Sequence, residues 1–382
     1  MPMTDDPPPN PALLPAGLRD LLPPDAEAEA ATTSALMAAF AGHGYQRVKP
    51  PLLEFEDSLL AGSGAAVADQ TFRLMDPDGR RMMGLRADMT PQIARIASTR
   101  LAQSPRPLRL SYNGQCLRIH GSQIAPERQV AQAGIELIGH DSPEADAEIV
   151  LVGAEALRAV GLARISIDLT MPTLIPTLLD AAGLATGKLT RALDRKDAAA
   201  VAEHGGRLAG TLTDLLLAAG PADRAIAALR AADLPEGARP HAERLAAAVA
   251  AIRARMPALT LTVDPVEFRG FRYHTGVSLT VYAPGRREEL GRGGRYICGE
   301  NEPATGLTLY PDAILRAAPK PATPPRLFLP LGHDQAQAAA LRAKGYATVA
   351  ALAPSGDPLA EARRLACTHV LHDGQTIALA ED

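Results

Sequence analysis

Asp88, Gln132, Glu136 and Arg269 are the side-chain types that would hold a free amino acid. Such a ligand needs an acceptor for its ammonium, a donor for its carboxylate and polar groups matched to its side chain, all partly screened from water. Each residue is ordinary when taken alone, since an Asp after a strand commonly caps a helix in solvent and a Glu on a strand commonly faces water. Their joint arrangement is what points to a ligand. They fall in three short clusters: Arg86-Ala87-Asp88-Met89-Thr90, Gln132-Ala133-Gly134-Ile135-Glu136, and Arg269-Gly270-Phe271-Arg272-Tyr273-His274-Thr275-Gly276.

Positioning these clusters requires a scaffold of strands with helical cover. A Pro-rich arm runs to Pro24, and good helix formers follow from Asp25 to Gly42. Tyr45 to Val48 alternates as a strand. Phe72 to Met75 and Arg81 to Leu85 flank Asp76-Pro77-Asp78-Gly79 as a hairpin, and Thr90-Pro91 opens a helix. Leu108 to Leu117 and Val130 to Ile138 form a long hairpin across the polar loop 120–129. Ala145 to Val160 is a helix, and Ala163 to Leu169 a further strand. From about 172 to 256 the pattern is Ala- and Leu-rich helix, after which strands return at Leu259 to Val263, Thr275 to Tyr282 and Ala304 to Leu309. An α+β fold follows: an antiparallel sheet flanked by helices, with a helical insertion and a small C-terminal α/β module.

The chain has 382 residues, enough for about two to three domains. The expected division is 1–318, a Pro-rich linker at 319–325, and a module over 326–382 that alternates strand and helix. No internal repeat is evident. The content is 47% hydrophobic and 21% charged, as in soluble globular proteins, with 3% aromatic residues and no Trp, so Ala, Leu, Val and Ile must fill the core. A net charge of −4 speaks against a large phosphate-binding face, which needs clustered Lys and Arg, and leaves local patches open. Cys116, Cys298 and Cys367 show neither zinc-ligand nor disulfide spacing, which fits a reducing cytoplasm. The N-terminal segment has no signal-peptide pattern, and no apolar run is of membrane length. His43, His140, His204, His241, His333, His369 and His372 have no ligand-like spacing, and no Gly-rich phosphate fingerprint occurs. No metal and no cofactor are expected.

The clusters resemble the catalytic domain of histidyl-tRNA synthetase, a class II aminoacyl-tRNA synthetase, from about Leu14 to Leu315 and in the same order. Gly17 to Pro23 is similar to that family's N-terminal segment. Gly44-Tyr45-Gln46-Arg47-Val48-Lys49-Pro50-Pro51 is similar to its first class motif, which builds the dimer interface. Leu85 to Thr90 resembles the loop that meets the histidine ammonium, with Asp88 in place of Glu. Arg269 to Gly276 resembles the histidine-specific motif, and Gly293-Gly294-Arg295-Tyr296 the turn after it. The resemblance adds Thr90, Arg118, Tyr273 and His274 to the candidate histidine contacts. Arg118 is open to binding a carboxylate or pairing with a nearby acid, and His274, like His120, to ligand contact or packing.

The departures concern the nucleotide. The synthetases have a Glu that reads adenine, a Phe that stacks on it and an Arg that clamps the γ-phosphate, where this chain has His120, Val130 and Ala313. Stacking is worth about 1 to 3 kcal/mol, and removing one positioned charge commonly costs about 100- to 1000-fold in rate. Pro311 would interrupt the helix there or begin it later, and Arg316 could take the missing role only about a turn out of place. The combination resembles the paralogous family of ATP phosphoribosyltransferase regulatory subunits. That resemblance implies a non-catalytic subunit acting at the first step of L-histidine biosynthesis, needed for the activity of the short catalytic subunit and for feedback inhibition by L-histidine. Its partners would be that catalytic subunit and a second copy of itself, as a homodimer within a cytoplasmic hetero-octamer, with no nucleic acid and no membrane. The competing readings are an active histidyl-tRNA synthetase and a structural scaffold with a dead pocket.

Overall fold

The computed structural model describes residues 12–121, 126–184, 187–268, 270, 273–320 and 322–380. In chain order come α1 (Asp25–Gly42), β1 (Gln46–Arg47), β2 (Leu53–Phe55), α2 (Glu56–Leu59), β3 (Arg73–Met75), β4 (Met82–Leu85), α3 (Thr90–Ser98), β5 (Leu108–Leu117), β6 (Gln129–Ile138), α4 (Pro143–Ala159) and β7 (Ser166–Thr170). The helical block comprises α5 (Leu174–Ala182), α6 (Gly187–Asp194), α7 (Ala198–His204), α8 (Ala209–Ala218), the two-residue β8 (Gly220–Pro221), α9 (Ala222–Ala231) and α10 (Arg239–Arg255). Then follow β9 (Thr260–Asp264), β10 (Ser278–Tyr282), β11 (Glu289–Cys298), β12 (Glu302–Leu309) and α11 (Pro311–Ala317).

These elements form one compact unit, Met1–Pro319, and Lys320–Asp382 forms a second. The first is built on a nine-stranded sheet of order β1-β5-β6-β12-β11-β10-β7-β9-β8. Its centre is antiparallel, while β1 pairs with β5 and β7 with β9 in parallel. A separate three-stranded sheet, β2-β4-β3, contains the hairpin read from the sequence and one short strand that was not.

Alternation along β6 decides which face holds chemistry, because successive side chains of a strand point to opposite faces. Ala133, Ile135 and Leu137 enter the large core with Leu36 and Phe40 of α1 and Ile149 and Val150 of α4. Gln132, Gly134 and Glu136 therefore face the other side. There Met89, Ile93, Tyr112, Cys116 and Tyr296 form a second cluster beneath α3. Leu178, Leu215, Leu245 and Val249 of the helical block join the large core, so these helices share the core of the sheet whose strands they separate in sequence.

One sequence expectation needs correction. Gly293-Gly294-Arg295-Tyr296 is not a turn but the middle of the ten-residue strand β11. The glycines permit close approach instead: a Cβ on Gly293 would lie 2.1 Å from the Gly306 carbonyl oxygen of β12. Arg295 points to the helical side, where its Nη2 meets Asp146 Oδ1 at 2.6 Å and further bonds reach the His140 and Ser142 carbonyls. Pro311 begins α11 rather than breaking it, as suits a residue whose missing N–H costs nothing in a first turn.

The second unit comprises β13 (Arg326–Leu329), α12 (Gln335–Ala343), β14 (Ala347–Ala350), α13 (Pro358–Arg364), β15 (His369–His372) and β16 (Gln375–Ala378). Its sheet order is β14-β13-β15-β16, parallel except for β16. No described helix is long and apolar enough to cross a membrane. No group of three or more His, Cys, Asp or Glu among the described residues could hold a metal.

Candidate functional site

A cleft of about 720 Å³ opens on the α3 side of the sheet. Asp88, Arg118, Gln132, Tyr273 and His274 line it, together with Val130, Tyr310, Ala313 and Arg316. Thr90 and Glu136 lie in the layer beneath, and Arg269 falls outside the described residues. His120 is exposed and is not part of the cleft wall.

Asp88 is held by its loop, and the loop is held by Arg86. The buried Arg86 guanidinium donates to the carbonyls of Gln115 (2.8 Å) and Pro50 (3.2 Å) and to Gln92 Oε1 (3.3 Å). Gly114 makes room for it, since a Cβ there would stand 2.3 Å from Arg86 Nη2. Asp88 Oδ1 accepts the Thr90 N–H at 3.4 Å, and no described cation pairs with its carboxylate. It is a half-buried acceptor facing a cavity. Arg118 donates from Nε to the Ala87 carbonyl at 3.5 Å, and no described carboxylate pairs with its guanidinium.

Gln132 occupies the wall between these groups. Its Oε1 accepts the Met89 N–H at 3.0 Å and the Cys116 thiol at 3.3 Å. Burial pushes the Cys116 thiol up to about 12, which keeps it protonated and able to donate.

The floor is a buried hydroxyl network around Glu136. Thr90 Oγ1 and the Tyr112 hydroxyl each lie 3.2 Å from Glu136 Oε1, and Tyr112 also meets Thr308 Oγ1 at 2.8 Å. Glu136 Oε2 packs over the Cα of Gly306, where a Cβ would stand only 1.9 Å from it. Burial pushes the Glu136 carboxyl up to about 8; the Asp88 charge adds to this, and the Tyr296, Thr90 and Tyr112 hydroxyls oppose it. Tyr296 influences the carboxyl from beside it, without a hydrogen bond of regular geometry to Oε2. Near neutral pH Glu136 is therefore largely protonated and can offer a proton as well as accept one.

Tyr273 and His274 close the other side, their rings stacked at 4.3 Å, with Tyr296 edge-on to Tyr273 at 6.1 Å. Burial, reinforced by Arg292, pushes His274 down to about 3, so its ring is neutral. The cleft thus joins a polar end, carrying an acid and two donors, to an aromatic and hydroxyl-lined floor.

The remainder of the cleft is occupied by the protein's own ion pairs. Arg316 of α11 bonds Glu288 through Nε at 3.0 Å and lies 3.5 Å from Glu127. Asp312 accepts the Ala131 N–H at 3.0 Å and lies 3.6 Å from Arg19. Ala313 is buried and uncharged. Sequence reasoning passed over Tyr112, Cys116, Thr308, Glu127 and Glu288. The available signal was register, for Tyr112 lies opposite Gly134, the small residue between Gln132 and Glu136.

The histidyl-tRNA synthetase family model matches residues 17–314. The ATP phosphoribosyltransferase regulatory subunit of Paramagnetospirillum magneticum is 56% identical over 365 residues, covering 95% of this chain and 96% of its own. The subunit of the same description from Gluconobacter oxydans is 56% identical over 368 residues, covering 96% and 97%. Among solved structures, an ATP phosphoribosyltransferase regulatory subunit/histidyl-tRNA synthetase from Bacillus halodurans superposes with a TM-score of 0.79 at 24% identity, covering 94% of this chain and 97% of that one. At that identity the superposition speaks for the fold.

Proposed function

Since the chain belongs to the family of ATP phosphoribosyltransferase regulatory subunits, we propose that its cleft is the L-histidine sensor of an ATP phosphoribosyltransferase complex. A subunit of this kind serves the first step of L-histidine biosynthesis and does not itself aminoacylate tRNA. In the proposed assembly the chain forms a homodimer that joins short-form catalytic subunits in a cytoplasmic hetero-octamer, supporting their activity and lowering it when histidine is bound.

The observation that carries this reading is the pairing of an acid lacking a described cation partner, Asp88, with two donor side chains, Arg118 and Gln132, at one end of a cleft whose floor is the protonated Glu136. In the bound state Asp88 accepts the ammonium and Arg118 faces the carboxylate, with Arg269 joining it by sequence. Glu136, Thr90, Tyr273 and His274 surround the imidazole. The neutral Ala313 and the internally engaged Arg316 leave the nucleotide side without its clamp, which supports a sensor rather than a synthetase.

The test is phosphoribosyl-ATP formation by the reconstituted complex as histidine is raised. An Asp88→Ala complex should assemble and turn over normally yet resist histidine. Identical histidine responses in Asp88→Ala and wild type would move the inhibitory site elsewhere. ATP–pyrophosphate exchange by the isolated chain would instead support the synthetase reading.

A further inference from the structure

Helices α1, α4, α5 and α12 end in the same way. A glycine in the left-handed region, Gly44, Gly161, Gly183 or Gly345, donates its N–H to the carbonyl three residues back, and the next residue donates to the carbonyl five back. The turn after α6 makes the same two bonds, from Lys196 to Leu193 and from Asp197 to Ala192, but a lysine holds the left-handed position, at φ 56°. An L side chain is strained there. Ala366 after α13 shows that the conformation is tolerated without glycine; what distinguishes Lys196 is where its side chain goes.

The Lys196 amine stands 2.7 Å from Asp264 Oδ2 and 3.3 Å from Glu267 Oε2. Both carboxylates belong to the turn that leaves β9 toward the cleft. Asp264 Oδ1 accepts the Val266 N–H at 3.1 Å, and the Thr170 hydroxyl of β7 meets the Asp264 and Glu267 carbonyls at 3.0 and 2.7 Å. Farther along, the Gly270 carbonyl accepts Arg292 Nη1 at 3.2 Å, and Gly270, Tyr273 and His274 line the cleft. Lys196 thus holds the base of a segment whose far part is cleft wall. Glycine would close α6 without strain, as it closes α5, and a partly exposed ion pair adds little to the stability of a fold. The lysine instead ties the helical block, which supplies none of the described lining residues, to a segment that does.

We propose that Lys196 is a positioning residue of the effector cleft: through Asp264 and Glu267 the helical block sets the segment carrying Gly270, Tyr273 and His274, and so shares in ligand affinity without touching the ligand. This rests on the reading of the cleft as a histidine site and adds to it a support from outside the sheet. Linkage makes the effect mutual, so a ligand that fixes the wall also steadies the turn after α6.

The test is calorimetric titration of the full chain with L-histidine, beside urea midpoints for the same proteins. Lys196→Met removes the cation and should weaken histidine about five- to tenfold, because the ligand must then order a loosened segment. Lys196→Arg keeps a cation able to meet carboxylates and should bind within about twofold of wild type. Lys196→Gly discriminates between roles: it removes the strain together with the cation, so its midpoint should hold or rise while histidine weakens as in Lys196→Met. Saturating histidine should slow hydrogen exchange at the Lys196 and Asp197 amides at least about threefold in wild type and not in Lys196→Met.

Wild-type histidine affinity in Lys196→Met and Lys196→Gly would overturn the proposal. So would a loss in Lys196→Arg equal to that in Lys196→Met, an affinity in Lys196→Gly that falls only together with its midpoint, or amide exchange that saturating histidine leaves unchanged. Failure of wild type to bind histidine is a separate result that removes the reading of the cleft, whereas binding indifferent to Lys196 removes only this inference.

Discussion

Gly306→Ala is the smallest change that should disable the floor of the cleft. Gly306 lies opposite Glu136 across the β6–β12 ladder. A Cβ at that position would stand 1.9 Å from Glu136 Oε2 and 2.4 Å from its carboxyl carbon, so the carboxyl must move. Moving it draws the carboxyl away from the Thr90 and Tyr112 contacts, both 3.2 Å and both buried. Two net hydrogen bonds are worth about 1 kcal/mol each, and forcing a packed side chain off its rotamer adds about 1 to 3 kcal/mol. The expected loss is about 3 to 5 kcal/mol, read as a lower urea midpoint at unchanged slope, with L-histidine affinity falling by at least about tenfold. Gly210→Ala is the control. That glycine sits in α8 with no atom within 4 Å of a new Cβ, so the same substitution should be neutral or stabilising by up to about 1 kcal/mol. A Gly306→Ala protein with wild-type midpoint and histidine affinity would refute the description of the floor.

Three further outcomes can be checked. Glu136 has an ordinary carboxyl value when unfolded and about 8 when folded; folding then favours the protonated form, so its contribution is full below about 4.5 and declines as pH rises toward 8. Glu136→Gln should remove that slope, and urea midpoints measured from pH 5 to 9 should show wild type losing stability relative to the variant; parallel curves would contradict the assigned protonation. Arg295→Met should destabilise by about 3 kcal/mol, the low end for breaking a buried pair because Arg244 still holds Asp146 at 3.0 Å. Its histidine affinity should hold, since Arg295 lies on the opposite face of the sheet from Glu136, and loss of binding without loss of stability would count against that placement. Ala313→Arg should leave ATP–pyrophosphate exchange at background; turnover in that variant would show the missing clamp to be the sole defect.

Much of the site was legible because its residues fall within short clusters of recognisable type. Asp88, Arg118, Gln132, Tyr273 and His274 line one cleft, with Thr90 and Glu136 just below it. The long β5–β6 hairpin, α1 and the helical block were legible from periodicity and from Ala-rich composition. β11 was not, because its glycines read as turn residues when they are there to let two backbones approach. The three-residue β2 is too short to carry a period. The Tyr112, Thr308 and Tyr296 network was hidden for another reason. These are isolated hydroxyls on separate strands, and only the ladder registers bring them to one carboxylate. The orientation of Gln132 was likewise beyond sequence, as it depends on a backbone N–H contributed from 43 residues away.

Arg316 bears on how readily the chain could regain nucleotide chemistry. Its partners Glu288 and Glu127 come from separate segments, before β11 and before β6, and the cation joins them across the side of the cleft lined by Ala313. An arginine restored at 313 would enter a helix that already carries Arg316 three residues on, where like charges on neighbouring turns repel. It would also meet two carboxylates competing with any polyphosphate for the new charge. One substitution at 313 therefore meets an ion-pair network, Glu127–Arg316–Glu288, that competes with a nucleotide for the new charge. The strap acts as an epistatic constraint on the cleft.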